Sequence, residues 1–185
     1  EGKNAIVLTL GTANENPESY QLKVAGDGIT ITGPTEAGVF YGIQSLRKSL
    51  PVAVGADISM PAVEINDAPR FGYRGAHFDT SRHFFTVDEV KTYIDMMALH
   101  NMNRFHWHIT EDQGWRLEIK KYPKLTEIGS QRSGTVIGRN SGEYDGKPYG
   151  GFYTQEQAKE IVAYAAERYI TAVSYTHLRA HETGA

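Results

Sequence analysis

The stretch that decides the fold runs from Arg74 to Ile119, RGAHFDTSRHFFTVDEVKTYIDMMALHNMNRFHWHITEDQGWRLEI. Its hydrophobic period changes as it is read. Tyr73 to Asp79 alternates like a strand; Thr86-Val87-Asp88-Glu89 is a capping box, and Val90, Tyr93, Ile94 and Met97 form the apolar stripe of the helix it starts. Tyr93, Met96 and Met97 are expected in the core. Arg104 to Thr110 alternates again. Further along, Thr154 to Gln157 repeats the capping pattern before Ala158, Ile161, Val162 and Ala165, and Tyr169 to Val173 reads as a third strand. Strand, helix, strand, helix, strand predicts a parallel sheet, either doubly wound or a barrel.

Upstream, Ala5 to Leu10, Tyr20-Leu22-Val24 and Ile29 to Thr32 read as three strands, the last two joined as a hairpin through Gly26-Asp27-Gly28. Pro34-Thr35-Glu36 opens a helix with Val39, Ile43, Leu46 and Leu50 on one face, and Pro51 stops it. Ala62 to Ile65 is a fourth strand, followed by the polar connector Asp67-Ala68-Pro69-Arg70. A domain boundary is expected there. Residues 1–67 then form a small α/β domain and residues 68–173 a second, larger one.

Composition narrows the function. With 40% hydrophobic and 22% charged residues the chain can bury a core, and its net charge of −3 offers no cationic face for nucleic acid. It contains no cysteine and no apolar run long enough to span a membrane, so thiolate metal sites and a membrane span in this chain are excluded. No cofactor is expected.

In parallel α/β architectures chemistry gathers at the C-terminal ends of the strands. Two polar clusters lie at such ends, Asp79-Thr80-Ser81-Arg82-His83-Phe84-Phe85 and Glu111-Asp112-Gln113-Gly114-Trp115-Arg116, the second opening a Gly-rich connection that reaches Tyr153. Connections usually take about 2–6 residues, and one this long is expected to carry function. A guanidinium suits vicinal hydroxyls, carboxylates accept from hydroxyls, and an aromatic face stacks on a sugar ring. Asp79, Arg82, Glu111 and Asp112 also read as ion pairs that hold the loops, and spacing alone leaves both readings open. His106-Trp107-His108 places two imidazoles on one face of a strand, with Phe105, Trp107 and Ile109 on the other. No cysteine, carboxylate or third histidine is read as completing a metal set, so no metal is expected. His177 and His181, four apart, lie in a suspect C-terminal segment.

At these two clusters the sequence resembles family 20 glycoside hydrolases, the β-N-acetylhexosaminidases, through DTSRHFF and HWHITEDQGWR, and more weakly through FYGIQSL at Phe40 to Leu46. The resemblance implies an N-terminal α/β domain followed by the first βα units of a TIM (β/α)8 barrel. It implies release of terminal N-acetylglucosamine or N-acetylgalactosamine from glycans, and a periplasmic or secreted parent. By the same resemblance Arg82 binds the hydroxyls at carbons 3 and 4 of the sugar, with Asp79, Asp112 and Trp115 as further candidates for contact. Glu111, an aspartate in many relatives, belongs to a relay through a histidine to the catalytic acid. The mechanism implied is retaining and substrate-assisted, with the acetamido oxygen attacking the anomeric carbon.

The Asp-Glu pair that performs this chemistry in the family is expected after a fourth strand, and the relay histidine after the third; this chain is read as reaching neither. Residues 68–173 are also fewer than half of the about 250 in a full barrel. From Ser174 the sequence reads SYTHLRAHETGA. It resembles translated adapter read-through, and 174–185 is therefore expected to be a non-native tail. The expected function is that of an inactive fragment of a β-N-acetylhexosaminidase. Two alternatives are a metal-dependent amidohydrolase-like barrel using His106 and His108, and a non-catalytic carbohydrate-binding protein.

Overall fold

A computed structural model of the chain describes residues 5–11, 14–51, 55, 58–139 and 141–174. The residues from Tyr175 on, with His177 and His181, lie outside the described residues. The chain forms two compact units, one ending at Arg74 but including Met97–Met102, the other holding Gly75–Met96 and the residues from Asn103.

In the first unit β1 (Ala5–Leu10), β2 (Tyr20–Ala25), β3 (Gly28–Gly33), α1 (Glu36–Ser49) and β4 (Val63–Asp67) make a mixed sheet, order β1-β3-β2-β4, and its helix. β2 and β3 form the expected hairpin, while β1 runs parallel to β3. Alternation sends Tyr20, Leu22 and Ile31 to one face, where Val39, Tyr41 and Leu46 of α1 close a core. The Thr35 hydroxyl caps the helix by accepting from the N–H of Gly38, and Leu50, extended before Pro51, ends it. Two glycines, missed by the periodic reading, set the depth of contact. A Cβ on Gly38 would lie 2.2 Å from the Ser19 carbonyl oxygen, and one on Gly42 2.5 Å from Ile31. The buried Tyr20 hydroxyl donates to Asp67 at 2.9 Å and pairs with Ser45 at 2.6 Å; burial pushes its pKa up to about 12.

The second unit begins with β5 (Gly75–Asp79), which leads to α2 (Val87–Leu99) and β6 (Arg104–His108). The connection after β6 contains β7 (Thr110–Glu111), β8 (Gly114–Trp115), α3 (Lys124–Glu127), β9 (Gln131–Arg132) and β10 (Tyr149–Gly150), and α4 (Gln155–Ala166) and β11 (Thr171–Val173) follow. β5, β6 and β11 are parallel and lie side by side in chain order. A doubly wound sheet reverses its order at a switch point. This order is that of consecutive barrel units.

Both capping boxes form. Glu89 accepts from the backbone N–H and hydroxyl of Thr86, and Thr154 and Gln157 bond reciprocally. Phe105, Trp107 and Ile109 are buried on the face expected of them, and Val90, Ile94, Ile161 and Ala165 of the two helices are buried too. Met96 departs from expectation, being 62% exposed. It follows Ile94 by two residues, about 200° around the helix, and so points away from the buried stripe. The strands are also shorter than read. Tyr73 is exposed and precedes β5, Thr110 pairs with Trp115 in a small ribbon, and Tyr169 adopts a left-handed φ of 57°. Tyr169 ends α4 with the amides of Tyr169 and Ile170 returning to Ala166 and Ala165, a closure usually given to glycine.

Gly38→Ala should lower the stability of the first unit. Alanine gains about 1 kcal/mol of helix propensity, but forcing a Cβ onto the Ser19 carbonyl costs more, about 1–3 kcal/mol. Urea unfolding should show a lower midpoint for the variant; a higher one would mean that the close approach carries no constraint.

Candidate functional site

The register pairs Asp79 with His108, so β5 and β6 end side by side. Asp79 turns the chain there. Its Oδ1 accepts from the backbone N–H groups of Ser81 and Arg82, each at 3.0 Å, and its Oδ2 is bound by the Arg82 guanidinium. Burial opposes the charge on Asp79, but hydrogen bonds from the Arg82 backbone and side chain, with the charges of His108 and Arg82, hold its carboxyl below the ordinary range. The other end of the guanidinium, Nη2, meets Glu111 Oε2 at 2.5 Å. Arg82 thus bridges two carboxylates from two strand ends while remaining half exposed.

Glu111 is nearly buried and also receives His108 Nε2 at 3.1 Å on the same Oε2. Burial and the neighbouring Asp112 raise its pKa to about 7, against the pull of Arg82. Near neutrality it therefore stands between its charged and uncharged forms. His108 shares its face with His77 at 5.5 Å, and His77 packs edge-on against His106 at 4.8 Å. Burial and these two imidazoles lower the pKa of His106.

Among the described residues, Asp79, His108 and Glu111 are the one set with metal-ligating atoms close together, within 4.8 Å of one another. His106 is not part of it. Carboxylates do accompany His108, contrary to the sequence reading, because Asp79 arrives from the neighbouring strand and Glu111 folds back across a turn. Both carboxylates are engaged by Arg82, whose positive charge stands where a cation would.

Asp112 and Arg82 line a cleft of about 850 Å³ with His83, Gln113, Arg132 and Tyr144. Trp115 is absent from that lining; its indole N–H donates to the Leu117 carbonyl at 2.6 Å and its backbone N–H to Gly129. Arg116, grouped by sequence with the sugar-binding candidates, is fully buried. Its guanidinium donates to the carbonyls of Ser81 at 3.0 Å, Ser130 at 2.6 Å and Gly151 at 3.0 Å.

Arg132 and Tyr149 escaped the sequence reading. Arg132 donates to the Arg82 carbonyl at 2.7 Å, across 50 residues of chain, and its guanidinium lies 4.7 Å from the Tyr149 ring. The Tyr149 hydroxyl accepts from the N–H of Phe84 and donates to its carbonyl, at 2.8 and 2.9 Å, and His83 stacks on the same ring. No local period marks such residues. The only signal was the length and glycine content of the connection that carries them.

Comparison with known proteins bears on this site. The family model described as "Glycosyl hydrolase family 20, catalytic domain" matches residues 71–185, and "Glycosyl hydrolase family 20, domain 2" matches residues 1–68. The chain is 45% identical to a beta-hexosaminidase of Porphyromonas gingivalis, over 98% of this chain and 23% of that protein. It is 37% identical to an N,N'-diacetylchitobiase of Vibrio harveyi, over 90% of this chain and 20% of the other. The solved structure of a β-N-acetylhexosaminidase from Streptomyces coelicolor superposes with a TM-score of 0.79 at 42% identity, covering 94% of this chain and 34% of that one. The chain thus spans about a fifth to a third of the length of these relatives.

The raised pKa of Glu111 has a stability consequence of definite sign. Because the folded carboxyl holds its proton up to about pH 7 and the unfolded one only to about pH 4.5, the stabilisation from that proton is complete below pH 4.5 and is lost as pH rises to 7. Glu111→Gln keeps the shape without the titration. Its melting temperature should therefore gain on the unaltered chain as pH rises from about 4.5 to 7, by the equivalent of about 1–3 kcal/mol, then hold level. A difference that does not change with pH would show that Glu111 titrates normally.

Proposed function

The chain belongs to glycosyl hydrolase family 20, and from that premise we propose that the whole protein is a β-N-acetylhexosaminidase releasing terminal N-acetylglucosamine or N-acetylgalactosamine from glycans. The observation that carries this reading is Arg82, a half-exposed guanidinium at a strand end, fixed between Asp79 and Glu111. A planar fork of donors held in this way is suited to two vicinal hydroxyls, the 3- and 4-hydroxyls of the sugar. Asp112, beside it on the cleft, is placed to accept from a hydroxyl. The indole of Trp115, tied to Leu117, serves the site through the fold of the connection or through sugar contact from outside this cleft.

Glu111 supports a relay reading, since a group poised near neutrality can pass its protonation state to a partner. The catalytic work falls to other residues. The chain's one Asp-Glu step in that order, Asp88-Glu89, opens α2, and Glu89 is committed to capping Thr86 with its pKa lowered by those two hydrogen bonds. A carboxyl bound in this way is unsuited to protonating a glycosidic oxygen. We therefore expect the chain of residues 1–185 to be inactive by itself and the reaction to need groups supplied by the rest of the protein.

Purified chain should turn over an aryl N-acetylglucosaminide no faster than a mock preparation; measurable turnover would overturn this assignment of roles. In the whole protein, Arg82→Ala should lower kcat/KM about 10- to 100-fold, since each hydrogen bond from a charged donor contributes about 1.5–3 kcal/mol. An unchanged kcat/KM would remove Arg82 from the sugar site.

A further inference from the structure

One oxygen of Glu111 meets two nitrogens from two directions. Oε2 is 2.5 Å from Arg82 Nη2 and 3.1 Å from His108 Nε2, and the side chains of Glu111 and His108 are 9% and 11% exposed. The backbone of His108 is fixed independently of both, at the end of the central strand β6, where it pairs with Asp79 of β5 and follows the buried Trp107. Arg82, by contrast, is half exposed on a loop. Glu111 is thus held from the strand side by His108 and meets Arg82 on the loop side.

We propose that His108 is a positioning residue for Arg82: by donating from Nε2 to Oε2 of Glu111, it favours the charged form of that carboxylate and aims it at the guanidinium. The inference rests on the reading of Arg82 as the sugar-binding group. The charged and titratable groups facing Glu111 are Asp79 and Arg82 from the end of β5, His108 from β6, and Asp112 next in the chain, while His77 and His106 lie beyond, His77 against both His108 and His106. Asp79 and Asp112 oppose ionisation of Glu111, Arg82 favours it, and burial opposes it most. A donor at Nε2 of His108 counts on the side of the anion. Loss of that donor shifts the balance toward the neutral acid, which binds a guanidinium far less well.

Glutamine and asparagine separate this role from mere packing. The amide nitrogen of Gln reaches the place of Nε2, whereas that of Asn stops short, near Nδ1. With the full chain, the carboxyl carbon of Glu111 can be followed by NMR through a pH titration. His108→Asn should raise the Glu111 midpoint by about one unit, the size expected for a lost hydrogen bond to a charged acceptor. His108→Gln should leave it unchanged, and the Arg82 Nε–H signal should stay resolved in this variant and be averaged away in His108→Asn. A purely structural role gives another result: loosened packing admits water, and the midpoint falls toward the ordinary carboxylate value, about 4.5, in both variants. That fall, or equal midpoints in the two variants, overturns the inference. Neither result depends on sugar binding; normal kcat/KM for Arg82→Ala in the whole protein would remove the function of the site and leave the measured coupling standing.

Discussion

A buried guanidinium without a carboxylate organises the second unit. Arg116 is fully buried, and among the described residues it has no ion pair; its partners are the carbonyls of Ser81, Ser130 and Gly151. Burying a charge is costly unless its donors are used; Nε and Nη1 are used in this way, Nη2 is buried without a hydrogen-bond partner, and the burial lowers the pKa. Three carbonyls from segments far apart in the chain must therefore converge on it. Gly114 lacks a side chain because a Cβ there would lie 2.5 Å from the guanidinium. The site follows from this constraint: Ser81, whose carbonyl Arg116 holds, immediately precedes Arg82, and Arg132 and Tyr149 fix the next backbone groups from the same connection.

On that frame the exposed chemistry is balanced and not relaxed. Asp79 is held charged by the turn it makes, whereas Glu111, drawn into a drier place beside Asp112, is pushed to about pH 7. Two carboxylates that share one arginine thus differ in protonation because of their surroundings. Divergence of this kind is characteristic of functional sites, and the raised carboxyl of Glu111 weakens the folded chain as pH rises toward neutrality.

The elements of the fold were legible where physics is local. Capping boxes at Thr86 and Thr154, the hairpin through Gly26-Asp27, and the alternation of Phe105, Trp107 and Ile109 each depend on neighbours a few residues away. Errors arose where tertiary contacts intervened. Met96 resembles a core residue by type but lies on the wrong side of its helix, Tyr169 ends a helix where its aromatic character suggests a strand, and Gly38 and Gly42 matter for what they lack.

The sequence by itself determined the parallel βα order, the placing of Asp79, Arg82 and Glu111 at strand ends, and the likeness to glycosyl hydrolase family 20, since period, turn chemistry and motif are all written along the chain. Only the tertiary structure decided how those residues meet. It buried Arg116, brought in Arg132 and Tyr149, and set His108 against Glu111. The physical reason is that hydrogen bonds and ion pairs depend on distances of about 3 Å in space, which a sequence specifies only after the chain has closed loops as long as the 50 residues between Arg82 and Arg132.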